Sequence, residues 1–113
     1  DYRQGMLVEI PLFTQQLSTS EPAERIVEIW RAHYKDETCV KVHDINSFNQ
    51  LEEGYLDPEL NNGTNRIDLF VFTSEQHCLL IARLDNLGKG AGGAAVQNMN
   101  LMLGCAELTG LNI

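Results

Sequence analysis

Residues 85–103, with the sequence DNLGKGAGGAAVQNMNLML, constrain the fold of this chain more than any other part of it. They follow a nearly continuous apolar run at 79–84, which is typical of a buried strand. Their glycines predict a sharp turn, and the small and apolar residues that come next predict a helix. The chain therefore leaves a sheet and enters a helix, an arrangement that often presents backbone N–H groups to an anion or cofactor.

The predicted helix is apolar on two sides and carries no charge. Helical spacing places six small or apolar residues on one face: Gly92, Ala95, Val96, Met99, Met102 and Leu103. Ala94 and Leu101 lie nearly opposite, and only Gln97, Asn98 and Asn100 are polar. A helix apolar on two sides is normally buried on two sides. We expect one face to pack on the sheet of this chain and the other on a part of the protein outside it.

The first half of the chain predicts a strand, a helix and a short strand. Met6, Val8 and Ile10 alternate with other residues from Gly5 onward, and Pro11 ends the central pairing or lies at a sheet edge. A helix is predicted over 20–36, with Ser20 as its N-cap and an apolar stripe that covers one face of the sheet. A short strand follows at 38–42.

The second half predicts a loop, a hairpin and the final helix. Residues 43–65 are rich in Asn, Gly and Pro and indicate either a functional excursion or a surface insertion. Their acidic residues lack a calcium-loop pattern, so we expect a solvated acidic loop and no metal site. Apolar strands at 66–73 and 77–84 form a hairpin through 74–76. The fold class is α+β, a mixed or antiparallel sheet with a covering helix.

Charge and cysteine content exclude several functions. Sixteen acidic residues against eight basic ones give a net charge of −8, which argues against nucleic acid and anionic membrane surfaces as partners. No apolar run reaches about 18 residues, so no transmembrane helix is expected. Cys39, Cys78 and Cys105 are widely spaced and predict reduced thiols in a cytoplasmic protein. His77 precedes Cys78, but neighbours in a strand point to opposite faces, which opposes a catalytic pair.

Three stretches resemble the carboxyl-terminal part of N-acetyl-γ-glutamyl-phosphate reductase. Residues 85–103 are similar to the family pattern D-N-L-x-K-G-A-x-G-A-A-V-Q-N-M-N-L-M-L. Residues 3–12 are similar to its Q-G-M-x-V strand, and residues 66–72 to its L-F-V-F strand. The three occur in the family's order and span nearly the whole chain, and the last of them is highly specific.

The resemblance implies an NADP-dependent enzyme that reduces an acyl phosphate to an aldehyde in arginine biosynthesis. The family has a Rossmann-type cofactor domain and an α+β domain like the carboxyl-terminal domain of glyceraldehyde-3-phosphate dehydrogenase. Residues 1–85 would belong to that substrate and dimerisation domain, and residues 86–113 would form a cofactor-proximal turn and a helix that packs on the absent NADP-binding domain. The chain begins without Met and looks like a piece of something longer.

No catalytic residue of the family is expected in this chain. The family's nucleophilic cysteine lies in a P-G-C-Y-P-T motif that is absent here, as is the dinucleotide fingerprint. His33, His43 and His77 do not match the family's catalytic histidine. The chain alone is therefore expected to be inactive.

The resemblance places the cofactor contacts in the glycine turn. Asn86 matches an asparagine near the nicotinamide carboxamide, and Gly88 and Gly90 would let the backbone approach closely. Lys89 would meet a phosphate or remain solvated. The alternative for Asn86 is a turn or helix N-cap residue. Arg3 would form an ordinary surface pair or approach substrate.

The sequence leaves two other functions open. The chain could be a stand-alone α+β binding or regulatory module, or part of a related semialdehyde dehydrogenase.

We also expect a homo-oligomer formed through the sheet face that the helix leaves uncovered. The residues predicted to line that face are Leu69, Val71, Leu80 and Ala82.

Overall fold

Four strands and two helices make up the fold in the computed structural model, which describes residues 1–113. The elements in chain order are β1 (Met6–Phe13), α1 (Pro22–His33), β2 (Val40–Val42), β3 (Ile67–Thr73), β4 (His77–Leu84) and α2 (Gly93–Met102). Short 3₁₀ turns follow β1 at Thr14–Gln16 and precede β3 at Phe48–Gln50, and a π-helical turn, Gly88–Gly92, leads into α2. No helix has both the length and the apolar character needed to cross a membrane.

The strands form one mixed sheet in the order β1-β4-β3-β2. β4 pairs antiparallel with both β1 and β3, and β2 pairs parallel with β3. The α+β class and the hairpin between β3 and β4 are thus confirmed. Both edge strands, β1 and β2, come from the first half of the chain.

Pro11 lies on an edge strand, which is one of the two alternatives left open by its sequence position, and the pairing of β1 continues past it to Phe13. The Thr14 N–H donates to the Gln76 carbonyl at 3.0 Å, which fixes the hydrogen-bonding phase of the antiparallel β1–β4 pair. Even-numbered residues of β1 therefore bond to β4, and the nitrogen of Pro11 faces the open edge. Because proline has no N–H to donate, this position costs the sheet no hydrogen bond.

Helix α1 packs over β2 and β3 and builds the larger core cluster. Ala23 and Val27 of the helix are buried against Val71 and Cys78. The predicted cap was wrong: the helix begins at Pro22, Glu21 occupies the N-cap position without a side-chain cap, and Ser20 precedes it. The Thr19 hydroxyl instead accepts from the Glu21 N–H at 3.3 Å.

The opposite face of the sheet is covered by the segment that was hardest to interpret, residues 43–65. Leu56 is buried with Phe70 and Ile81, and Leu51 packs beside them. The predicted composition of the uncovered face was therefore wrong, because Val71 and Leu80 pack on the α1 side. Side chains alternate along a strand, so Leu69 and Ala82, which pair with each other, belong to that α1 side as well.

The α1 side of the sheet nevertheless has an open apolar strip at β1. Helix α1 lies over β2 and β3, and β1 lies at the other edge of the sheet. Val8 and Ile10 are 42% and 51% exposed, and their partners across β4 are Ala82 and Leu80. We name these four residues the β1 strip.

A buried ionic cluster occupies the other face of the sheet. The Arg83 guanidinium donates to Asp68 Oδ2 at 2.8 Å, and both side chains are 1% exposed. Arg66 approaches the same carboxylate at 3.2 Å, and the His43 ring stacks on Phe70 at 4.3 Å. Burial raises the pKa of Asp68, but the His43 ring at 3.5 Å, the hydrogen bond from Arg83 and the charges of the two arginines lower it far below its ordinary value.

Candidate cofactor-turn site

Asp85 is the centre of the turn that follows β4. Its Oδ2 atom accepts from Gln4 Nε2 at 3.0 Å and from the Gly63 N–H at 2.8 Å, and its Oδ1 atom accepts from the Leu87 N–H at 2.9 Å. The Gly88 N–H also points to this carboxylate. We name this group the Asp85 junction. It joins the start of β1, the loop before β3 and the turn itself, so residues far apart in sequence define the shape of the turn.

The environment of Asp85 keeps its carboxylate ionised. The residue is 2% exposed, and burial alone would raise its pKa. The hydrogen bonds from Gly63, Gly88, Leu87 and Gln4 act in the opposite direction and lower the pKa below its ordinary value. N–H donors stabilise the charge without any cationic partner.

Acidification should destabilise the chain through Asp85. Because its folded pKa lies below the unfolded value of about 3.9, its contribution is complete above that value and is lost as the pH falls through the folded pKa. We expect Asp85→Asn to lower the urea midpoint at pH 7 and to reduce the further fall between about pH 5 and pH 3. Asp36→Asn, whose side chain is 86% exposed, is the control. If the urea midpoint fell with pH equally in wild type and Asp85→Asn, the assignment of the acid sensitivity to Asp85 would be contradicted.

Asn86 is half-buried and already uses its side-chain oxygen. Asn86 Oδ1 accepts from the Gly5 N–H at 2.8 Å, which ties the turn to the start of β1. Its Nδ2 amide makes no hydrogen bond within the chain. The Asn86 Nδ2 group therefore retains both of its N–H donors, which suit the carbonyl oxygen of a carboxamide. Its part in the turn and a contact with a cofactor are compatible.

The glycines of the turn differ in what they approach. A Cβ on Gly88 would lie 2.9 Å from the Thr64 carbonyl oxygen, so Gly88 approaches the chain itself. Gly90 is exposed, and its N–H donates to the Asp85 carbonyl at 2.9 Å. The closest approach occurs at Gly93, where a Cβ would lie 2.3 Å from Asn65 Oδ1. Gly93 lets the first turn of α2 contact the loop before β3.

Lys89 bonds to Gln97. Its ammonium donates to Gln97 Oε1 at 2.5 Å, and the same oxygen accepts from Asn65 Nδ2 at 2.9 Å. Gln97 Nε2 donates in turn to Glu107 Oε1 at 2.6 Å. The buried Gln97 amide thus uses its donor and its acceptor within the chain, and it connects the lysine to the segment after α2.

Helix α2 buries polar side chains against its own chain and exposes apolar ones. Gln97 and Asn100 are its buried residues. Asn100 Nδ2 donates to the Glu107 and Thr109 carbonyls, both at 2.9 Å, and holds the returning carboxyl-terminal segment. Four apolar residues near the end of the helix are at least half exposed: Met99 at 50%, Leu101 at 56%, Met102 at 86% and Leu103 at 68%. Met99, Met102 and Leu103 share one side of the helix, and we name these three residues the α2 apolar face; Leu101 lies nearly opposite.

Sequence reasoning identified the turn but missed the residues that organise it. The sequence identified three of these residues only as parts of the motif: Asp85, Gly93 and Gln97. The role of Asp85 depends on Gln4 and Gly63, that of Gly93 on Asn65, and that of Gln97 on Asn65 and Glu107. One signal was present in the sequence: Gln97 and Asn100, two of the three polar residues of a largely apolar helix, are spaced so that both lie on one side of it. Buried amides of this kind require internal partners.

The other reactive side chains form no second site. Cys78 is fully buried, and burial together with the charge of Glu24 raises the pKa of its thiol, so the thiolate is disfavoured. His43 belongs to the buried Asp68 cluster. No group of His, Cys, Asp and Glu side chains has a geometry that could hold a metal ion.

The fold and the turn together define a class of protein: an α+β domain whose final helix presents an apolar face next to a glycine-rich junction. The chain is 46% identical over 114 residues to N-acetyl-gamma-glutamyl-phosphate reductase from Trichormus variabilis, which covers 98% of the chain. It is equally similar to the reductase 2 of a Nostoc species and 43% identical over 105 residues to the Brucella ovis reductase. The chain is thus a homologue of the carboxyl-terminal part of the N-acetyl-gamma-glutamyl-phosphate reductases.

The chain corresponds to about one third of each of these reductases. The chain spans 35% of the length of the Trichormus reductase and 33% of the Brucella reductase. No protein-family model matches the chain.

Proposed function

We propose that this chain is the carboxyl-terminal part of an NADP-dependent reductase of the cytoplasm. The enzyme would reduce N-acetyl-glutamyl 5-phosphate to the semialdehyde in arginine biosynthesis. The α2 apolar face carries the proposal: it is exposed in the chain, it lies on the helix that follows the cofactor turn, and adjacent exposed apolar side chains of this kind mark a partner surface. We assign that partner surface to the NADP-binding domain of the same protein.

Residues 1–85 would form part of the substrate and dimerisation domain, with the architecture of the carboxyl-terminal domain of glyceraldehyde-3-phosphate dehydrogenase. Residues 86–113 would form the cofactor turn and the docking helix. The family resemblance supports this division, and so does the change from sheet to turn at Asp85. This chain would supply no catalytic nucleophile or acid–base group, because the family's P-G-C-Y-P-T motif is absent from it and Cys39, Cys78 and His43 are buried in the fold.

The residues of the turn fit a dinucleotide in part. NADPH would supply the hydride in the proposed reduction, and NADP would be released. Asn86 would donate from Nδ2 to the carboxamide, while its Oδ1 stays with Gly5. Gly90, exposed at the surface, would allow close approach, and Gly88 would shape the turn from inside. Lys89 would meet a phosphate only after leaving Gln97, so its cofactor role is the weakest of the four.

A chimeric enzyme tests the proposal. Its upstream two thirds come from the Trichormus reductase, and this chain replaces the matching carboxyl-terminal part. We expect NADPH-dependent reduction of N-acetyl-glutamyl 5-phosphate by the chimera and none by the isolated chain. Asn86→Ala in the chimera should raise the Kd for NADPH and slow hydride transfer by roughly 2- to 12-fold, since one neutral hydrogen bond contributes about 0.5–1.5 kcal/mol.

Phosphate-dependent acyl exchange is the internal control for this experiment, because thiolate chemistry uses residues outside the chain. Asn86→Ala should leave the exchange rate within about twofold, since it removes no contact to the thiolate. Turnover by the isolated chain would refute the assignment of catalysis to the rest of the protein. An Asn86→Ala chimera with unchanged NADPH affinity and hydride transfer would make Asn86 a turn residue only.

We further propose that the enzyme is a homo-oligomer formed through the sheet face that carries the β1 strip. Val8 and Ile10 are exposed there beside Leu80 and Ala82, while Pro11 on the open edge disfavours extension of the sheet itself. We expect at least a dimer by sedimentation equilibrium at tens of micromolar, roughly the range in which a modest interface is populated. The double variant Val8→Lys/Ile10→Lys should shift the chain from dimer to monomer. A wild-type chain that remains monomeric there would contradict the proposal.

A further inference from the structure

We infer that Asp85 is a positioning residue for the cofactor turn, fixing the backbone so that Asn86 presents its free amide group. The inference rests on the proposed function and extends it to a residue that would not touch the cofactor. Asp85 is 2% exposed and cannot contact a ligand directly. Its effect must pass through the groups it holds.

Two adjacent hydrogen bonds connect the turn to the start of β1. Gln4 Nε2 donates to Asp85 at 3.0 Å, and the Gly5 N–H donates to Asn86 at 2.8 Å. Residues 4 and 5 thus bind residues 85 and 86 just beyond the end of the β1–β4 ladder. We name this pair of bonds the 4–5/85–86 clamp. Because Asp85 and Asn86 are consecutive and bind consecutive residues at the start of β1, displacement of Asp85 changes the orientation of the Asn86 side chain.

The clamp is itself held against the loop before β3. Gly5 has a φ of +113°, and a Cβ there would lie 2.4 Å from the Pro58 carbonyl oxygen. Asn62 Nδ2 donates to the Gln4 carbonyl at 3.0 Å, and the Gly63 N–H donates to Asp85 at 2.8 Å. The Asp85 carboxylate is therefore the group on which three separate segments converge.

This arrangement determines which part of Asn86 remains available. Because Asn86 Oδ1 accepts from the Gly5 N–H, the Asn86 side-chain amide is held in one orientation, and its Nδ2 group is left without a partner in the chain. Without Asp85, the turn would lose the bonds to Gln4, Gly63 and Leu87 that fix its backbone. The Asn86 amide would then sample other orientations and lose its pre-organisation for a ligand.

A double-mutant cycle in the chimeric reductase tests the inference. The variants are Asp85→Asn, Asn86→Ala and the pair, and the measurements are the Kd for NADPH, the hydride-transfer rate and phosphate-dependent acyl exchange. We expect Asp85→Asn alone to weaken NADPH binding by a factor similar to that of Asn86→Ala. In the Asn86→Ala background it should have little further effect, because residues that act through one another are not additive.

Two further variants separate positioning from a general loss of stability. Gln4→Ala removes one donor to Asp85 and should move NADPH affinity in the same direction by a smaller factor. Asn46→Ala removes two hydrogen bonds to Thr73 at the other end of β3, and should lower stability without changing NADPH affinity. In the isolated chain, amide exchange at Gly5 should accelerate in Asp85→Asn and in Gln4→Ala, and remain unchanged in Asn46→Ala.

The outcomes distinguish this inference from the proposed function. Suppose that Asn86→Ala weakens NADPH binding and that Asp85→Asn weakens it by its full factor again in the double variant. Asp85 is then a structural residue, and the positioning inference fails while the proposed function stands. If Asn86→Ala has no effect on NADPH, the cofactor role of the turn fails and the inference falls with it. Should Asp85→Asn prevent the chimera from folding, Gln4→Ala decides: faster Gly5 exchange with unchanged NADPH affinity would overturn the inference.

Discussion

Arg83→Leu should lower the free energy of unfolding of this chain by about 3–5 kcal/mol, the largest effect expected of any substitution discussed for it. Arg83 and Asp68 are both 1% exposed and 2.8 Å apart. Removing the arginine leaves a buried carboxylate whose closest remaining cation is Arg66, at 3.2 Å. That residue is partly exposed and replaces the lost charge incompletely. Urea unfolding followed by circular dichroism measures the change.

Arg25→Leu is the matched control for this experiment. Arg25 pairs with Glu28 at 2.7 Å, but the two side chains are 58% and 68% exposed. Exposed pairs contribute between zero and about 1 kcal/mol, so this variant should remain close to wild type. If the Arg83→Leu chain has no folded baseline, Arg83→Lys retains the charge and should give a smaller loss. Equal costs at positions 83 and 25 would show that the buried pair does not stabilise the fold.

Gly93→Ala should destabilise the chain by about 1–3 kcal/mol, the range typical of overpacking. A Cβ at this position would lie 2.3 Å from Asn65 Oδ1 and 2.9 Å from the Gly88 backbone. Asn65 is buried and hydrogen-bonded to Gln97, so it has little room to move. The start of α2 would have to shift away from the loop before β3. Thermal or urea unfolding of the purified chain measures the cost.

Gly92→Ala provides a control of the same chemistry one residue away. Both glycines have helical backbone angles, with φ of −62° at Gly92 and −63° at Gly93. A Cβ on Gly92 would meet the Leu87 carbonyl oxygen at 3.5 Å, an ordinary contact. The alanine should therefore be neutral or stabilising by up to about 1 kcal/mol, because alanine favours helix. A stable Gly93→Ala chain would mean that the close approach seen at Asn65 relaxes without cost.

The sequence by itself determined the class of the fold and the place of the turn. Alternating residues in β1, the apolar runs of β3 and β4 and the glycines after Leu84 are local patterns, and local backbone preferences are sufficient to read them. The α+β class and the hairpin followed from them, and the structure selected the edge position from the two alternatives open for Pro11. The family resemblance also came from contiguous motifs, and the known relatives confirm it.

Only the tertiary structure decided which surfaces are covered and which polar groups organise the turn. Leu51 and Leu56 cover a sheet face from a loop whose sparse apolar residues have no period, so the pattern could not reveal them. Asp85 acquires its role from Gln4 and Gly63, 81 and 22 residues away. Gln97 likewise depends on Asn65 and Glu107. The residue type determines which hydrogen bonds a side chain can make, but its partners are determined only when distant segments meet in the folded chain.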